Sequence, residues 1–202
     1  MRDLSLDPLL SQARFHISAP TRASCPPESG PEIAFCGRSN AGKSSALNVL
    51  TGQKNLARVS KTPGRTQLIN FFELGDTDAA LVDLPGYGYA KVPEAMKREW
   101  QKHLGDFLEH RVTLRGLVVL MDIRLPMTAL DAQLLAFADA RNLETLILLT
   151  KSDKLSHNQA AKARMAMVKI RPESTILVFS ALHKVGLQEA SAWIVERIHA
   201  TP

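Results

Sequence analysis

The chain has 202 residues, 45% hydrophobic and 22% charged, with a net charge of +5. This is the balance of one folded domain rather than a disordered tract, and the charge suits a polyanionic partner without requiring one. Cys25 and Cys36 are too few for a disulfide framework, no apolar run approaches bilayer length, and Arg2, Asp3 and Asp7 interrupt the leading leucines, so a reduced, cytoplasmic protein with no membrane span is expected.

Residues 1–30 read as an N-terminal extension that packs on the core, with a short strand at 13–17 and then a loop rich in Pro and Ser. From 31 to 202 strands and helices alternate. Residues 33–36 form a short buried strand, followed by a glycine-rich turn and a helix over 43–50. Residues 67–73 and 79–82 fit an antiparallel pair around the turn at 75–78. A helix over 93–110 starts on Pro93 and places Met96, Trp100, Leu104, Phe107 and Leu108 on one face. Residues 117–121 are a strand, and 128–141 a helix with Leu130, Leu134, Phe137 and Ala138 inward. After a strand at 146–149, Ser156 and Gln159 make a capping box that opens a helix to about residue 170. A strand at 176–179 leads to a final helix striped by Leu187, Ala190, Ile194 and Ile198. The expected fold class is α/β: a mostly parallel sheet with one antiparallel edge strand and helices on both faces. Ligands bind such sheets beyond the carboxyl ends of the strands.

The motifs fall at those ends. Residues 37–44, Gly-Arg-Ser-Asn-Ala-Gly-Lys-Ser, match GxxxxGK[ST] between a strand and a helix. Gly37 and Gly42 let the backbone wrap phosphates, and the loop N–H groups with the helix N-terminus favour an anion. Lys43 is expected to reach the β- and γ-phosphates and Ser44 to ligate Mg²⁺. Asp83-Leu84-Pro85-Gly86 matches DxxG; Asp83 would hold Mg²⁺ through water and the Gly86 N–H would sense the γ-phosphate. Thr150-Lys151-Ser152-Asp153 fits an [NT]KxD box: the Asp153 carboxylate can accept from guanine N1–H and its exocyclic amine, a donor pair adenine lacks. The Lys151 stem can lie on the purine. Ser180-Ala181-Leu182 resembles an [ST]A[KL] box, the least specific of the four. Thr66 is preferred over Thr62 as the Mg²⁺ threonine because it directly precedes a strand.

The strings GRSNAGKSSALN, SKTPGRTQ, DLPGYGYAKVP and TKSDKL resemble the bacterial EngB family over most of the chain, from about Phe15 on. The resemblance implies a P-loop NTPase of the Ras-like G-domain type that cycles between GTP and GDP in assembly of the large ribosomal subunit, with links to cell division and septation. It places GTP contacts on Gly37, Arg38, Ser39, Asn40, Ala41, Gly42, Lys43, Ser44 and Ser45, and on Gly64, Arg65, Thr66, Gln67 and Leu68. Further contacts fall on Asp83, Leu84, Pro85 and Gly86, on Thr150, Lys151, Ser152 and Asp153, and on Phe179, Ser180 and Ala181. Mg²⁺ falls on Ser44 and Thr66, and Lys43, Thr66 and Gly86 carry the catalytic roles. The partners implied are GTP or GDP and ribosomal RNA or protein, and the chain is expected to be a monomer.

Tyr87 follows DxxG where Ras-like enzymes have a water-positioning Gln, so slow intrinsic hydrolysis is expected. Asn40 has two readings: a K⁺ ligand that substitutes for an arginine finger, or a brace of the loop. Arg58, Lys61 and Arg65 read as a finger, an RNA contact or solvated charge. The basic runs at 33–72 and 154–171 contain no acid. They leave an alternative function open, a nucleotide-regulated rRNA-binding module with little intrinsic hydrolysis. A P-loop ATPase or kinase is disfavoured by Asp153.

Overall fold

A computed structural model describes residues 6–57, 68–88 and 103–200. Seven strands form one sheet: β1 (Ala13–Ala19), β2 (Glu32–Gly37), β3 (Ile69–Leu74), β4 (Ala80–Asp83), β5 (Leu114–Asp122), β6 (Glu144–Thr150) and β7 (Thr175–Val178). Their order is β1-β3-β4-β2-β5-β6-β7. The helices are α1 (Pro8–Ser11), α2 (Lys43–Leu50), α3 (residues 103–110), α4 (Ala129–Ala140), α5 (His157–Ile170) and α6 (Leu187–His199).

β4, β2, β5, β6 and β7 are joined by parallel ladders, and β3 is antiparallel to β4. The sheet is therefore mostly parallel with one reversed strand. β1 adds antiparallel outside β3, pairing Ala13 with Leu74 and Ala19 with Ile69, so β3 is flanked on both sides. β2 lies where the strand order reverses, the place such sheets offer for a ligand.

Two apolar layers clothe the sheet. One holds Leu10, Leu47, Leu50, Leu187, Ile194 and Ile198 from α1, α2 and α6. The other holds Leu104, Phe107 and Leu108 from α3, Leu134, Leu135 and Ala138 from α4, and Met167 from α5. Each fully buried Leu or Ile contributes about 2 kcal/mol relative to exposure. The expected stripe of α6 is buried throughout, and Trp193 packs with it under the Arg197 guanidinium, 4.1 Å from its ring centre. The capping box of α5 is present: Gln159 N donates to Ser156 Oγ at 3.3 Å and Ser156 N to Gln159 Oε1 at 2.9 Å.

Three differences from the sequence reading have physical causes. β5 runs from Leu114 to Asp122, longer than residues 117–121, because Leu114 pairs with Glu32 of β2 and Gly116 is laddered on both sides, to Ile33 and to Glu144, despite its weak strand preference. α4 buries Asp131 and Leu135 completely while Leu130 and Phe137 are only partly covered, so its inner face is rotated from the purely apolar stripe. The loop before β2 is held by a buried ion pair: Arg111 Nε and Nη2 donate to Glu32 at 2.9 and 2.6 Å, and Nη1 donates to the Pro26 carbonyl at 2.9 Å. Pro93, Met96 and Trp100 lie outside the described residues, as do Arg58, Lys61, Thr62, Gly64, Arg65, Thr66 and Gln67.

Candidate functional site

The parallel strands end together, and the motifs stand on those ends: Gly37 closes β2, Asp83 closes β4, Asp122 closes β5, Thr150 closes β6, and Phe179 follows β7. The loop from Gly37 to Gly42 has the backbone that its sequence demands. A Cβ on Gly37 would stand 2.7 Å from the Leu120 carbonyl oxygen, and Gly42 has φ +94°, so side chains are excluded at both turns. Asn40, exposed and at φ 64°, is one of the few residue types that tolerate this geometry. α2 begins at Lys43, so its free N–H groups face the loop. Arg38, Ser39, Lys43 and Ser44 are partly accessible, Ser45 is exposed, and Ala41 is buried.

The DxxG strap is stitched to this loop. Lys43 Nζ makes an ion pair with Asp83 Oδ1. Leu84 N donates to the Phe35 carbonyl at 2.9 Å, Tyr87 N to the Gly37 carbonyl at 3.2 Å, and Ser39 N to the Tyr87 carbonyl at 2.7 Å. Pro85 and Gly86 remain partly accessible beside Ser39. The Tyr87 ring points the other way: it is 2% exposed, and its hydroxyl donates to Asp131 Oδ1 at 2.5 Å. Burial first, and then neighbouring acids, raise its pKa, so the phenol stays protonated.

The TKSD box closes the other wall. Thr150 is 3% exposed, and its hydroxyl lies 2.6 Å from the Ala41 carbonyl and 3.1 Å from that of Met121. This side chain therefore braces the phosphate loop. Lys151 takes a left-handed conformation at φ 57° and pairs with Asp122 at 3.0 Å. Asp122 is also gripped by Arg124 through contacts of 2.9 and 2.6 Å, and these bonds hold its carboxyl well below the usual range. Ser152 N donates to the Phe179 carbonyl at 3.2 Å. Asp153 Oδ1 accepts from the fully buried Ser180 hydroxyl at 2.8 Å, the chief reason its pKa is lowered. Ala181 is partly buried, and Leu182 is 71% exposed.

The structure thus brings together the phosphate loop, Asp83–Gly86, Thr150–Asp153 and Phe179–Ala181; Leu68 immediately precedes β3. Sequence reasoning missed Asp122, Arg124 and Asp131. Asp122 carried a signal, a carboxylate at a strand's carboxyl end. Asp131 carried only a local one, since Thr128 and Asp131 fit a cap, while its link to Tyr87 spans 44 positions.

Among the described residues no group of three or more His, Cys, Asp or Glu could hold a metal. The Asp83 carboxylate and Ser44 hydroxyl fall well short of the six oxygens Mg²⁺ takes. That sparse donor set suits an ion that completes its shell with phosphate oxygens and water. No helix among the described residues is long and apolar enough to cross a membrane.

A family model described as 50S ribosome-binding GTPase matches residues 32–151. A probable GTP-binding protein EngB from Acinetobacter baumannii is 54% identical over 189 residues, 92% of this chain and 90% of the relative. One of the same description from Haemophilus influenzae is 54% identical over 185 residues, 90% of each. One from Escherichia coli is 53% identical over 194 residues, 92% of this chain and 91% of the relative. The fold is similar to a crystal structure of a probable GTP-binding protein engB, with TM-score 0.69 and 22% identity over 83% of this chain and 98% of that one. It is also similar to Era in complex with MgGDPNP and nucleotides 1506–1542 of 16S ribosomal RNA, with TM-score 0.65 and 20% identity over 85% of this chain and 58% of that one.

Proposed function

The chain belongs to the EngB family of P-loop GTP-binding proteins, and from that premise we propose that it works as a slow, Mg²⁺-dependent GTPase switch in assembly of the large ribosomal subunit. The observation that carries the nucleotide reading is the Thr150 hydroxyl on the Ala41 carbonyl. It joins the base box to the phosphate loop, so one ligand with a purine and a phosphate chain spans both.

In this reading the N–H groups from Gly37 to Ser44 grip the phosphates and Lys43 moves from Asp83 onto their oxygens. Arg38 to Ser45 line this part, with Leu84 and Pro85 beside it. Mg²⁺, when bound, neutralises phosphate charge; Ser44 and Thr66 would hold it directly and Asp83 through water. Asp153, aimed by Ser180, accepts from the guanine edge, while Lys151, Ser152, Phe179 and Ala181 frame the base. Gly64, Arg65, Gln67 and Leu68 would contact the nucleotide, and Gly86 N–H would meet the γ-phosphate. The Tyr87 ring is committed to Asp131, so no side chain follows DxxG to orient water. Intrinsic hydrolysis is therefore slow, raised by the ribosome or by K⁺ at Asn40. Equal single-turnover rates in KCl and NaCl would remove the K⁺ part.

The match to the 50S ribosome-binding GTPase family supports the ribosomal partner. The division and septation role follows from family resemblance, the cytoplasmic location rests on the cysteine usage, and a monomeric state is expected. The decisive experiment has two arms. Asp153→Asn should weaken GTP and favour xanthosine nucleotides; unchanged GTP affinity returns the protein to the ATP-binding class. Sedimentation with large ribosomal subunits should retain the protein loaded with a non-hydrolysable GTP analogue and release it with GDP. Absence from the pellet in both states removes the ribosomal role and leaves the GTPase reading standing.

A further inference from the structure

Tyr87 stands between the DxxG strap and the phosphate loop on one side and α4 on the other. Its backbone is bonded to the loop at both polar atoms, through the Gly37 carbonyl at 3.2 Å and Ser39 N at 2.7 Å. Its hydroxyl donates to Asp131 Oδ1 at 2.5 Å. Asp131 is itself fixed, being fully buried, with Oδ2 accepting from Thr128 N at 2.8 Å and Thr128 Oγ1 at 2.7 Å. That carboxylate lies in the first turn of α4, where the helix N-terminus favours negative charge.

A phenol does not need a carboxylate partner to be buried, and a Phe would fill most of the same space. The polar bond therefore specifies position, because a buried donor and acceptor that must meet allow one placement where apolar packing allows several. What it positions is Gly86, one residue upstream: the Gly86 Cα lies over the loop, and an added Cβ would stand 3.5 Å from the Gly37 carbonyl and 3.6 Å from Ser39 N.

We propose that Tyr87 is a positioning residue for recognition of the terminal phosphate: its bond to Asp131 anchors the strap on α4 and holds the Gly86 N–H at a fixed distance from the phosphate loop. The proposal rests on the reading that Gly86 N–H meets the γ-phosphate. GDP lacks that phosphate, so the clamp affects the two nucleotides differently. A bond that only stabilised the fold would affect both alike.

The test measures affinities of fluorescent GDP and a fluorescent non-hydrolysable GTP analogue, with Mg²⁺, on the full chain. Tyr87→Phe is expected to weaken the GTP analogue about fivefold or more while GDP stays within about twofold. Asp131→Ala removes the bond from the helix side and should lower the same ratio. The double variant should lose no more than the worse single variant, because both remove one interaction. Asp131→Ala alone gives the ratio if Tyr87→Phe yields no folded protein. An unchanged ratio in the soluble single variants, or fully additive losses, overturns the proposal. Gly86→Ala, which the surrounding space admits, separates the two failures. If it discriminates against the GTP analogue while Tyr87→Phe does not, only the clamp is wrong; if it leaves the ratio untouched, the reading of Gly86 falls.

Discussion

Thr150→Val isolates the contact that joins the two halves of the proposed nucleotide pocket. Valine keeps the branched shape and the strand preference, so the change removes one hydroxyl. That hydroxyl lies 2.6 Å from the Ala41 carbonyl at a residue 3% exposed, where water cannot easily replace it. The net value of such a bond is about 1 kcal/mol, and a buried carbonyl left unmet adds roughly another, for a total near 2 kcal/mol. The loss divides between two observables. Where the loop keeps its shape without ligand, it appears as stability, about 4–8 °C in melting temperature for a chain of this size. Where the loop relaxes and the nucleotide must reorder it, it appears as affinity, up to about 30-fold for GTP and GDP alike. Thermal unfolding and nucleotide titration on the same samples give both parts. Thr150→Ser, which keeps the hydroxyl, should stay close to the parent in affinity. A valine variant that melts within about 1 °C of the parent and binds both nucleotides within about twofold would refute the coupling.

Two further outcomes follow from other contacts. Ser180→Ala removes the hydroxyl that chiefly lowers the Asp153 pKa. A carboxylate with a lowered pKa stays charged as pH falls, so GTP affinity of the parent should persist into acid, while the variant should begin to lose it at higher pH. Superimposable pH profiles would count against this role for Ser180. Arg111→Met leaves Glu32, 4% exposed, without its bidentate partner and should cost about 3–5 kcal/mol in urea unfolding. The site is remote from the pocket, so nucleotide affinity of the folded protein should hold; a stability loss under about 1 kcal/mol contradicts the account.

Contacts local in sequence were legible, and those between distant segments were not. The α2 limits, the Ser156–Gln159 box and the α6 stripe follow from spacing and propensity, and each appears as expected. The motif order placed the phosphate loop, DxxG and TKSD on strand ends because only a strand followed by a turn can present them. The least specific box gives Ser180 no side-chain partner in the sequence, whereas its hydroxyl aims Asp153 across 27 positions. Tyr87 was read by the chemistry it lacks; its actual bond, to an Asp in a helix otherwise read as apolar, needed the fold to bring the two together. The Glu32–Arg111 pair, 79 positions apart, gives no periodic signal at all.

β3 bears on how far a nucleotide-driven change can travel. A lone reversed strand at a sheet margin can ratchet along its single neighbour, shifting its hairpin by a pair of residues. Here the N-terminal strand grips the outer side, from Ala13 against Leu74 to Ala19 against Ile69, while Asn70 to Glu73 are laced to Asp83 to Ala80 on the inner side. Sliding β3 would require two seams to open at once. The sheet therefore acts as a stop, and a nucleotide-driven shift that reaches β3 at Ile69 is expected to go no further into the core.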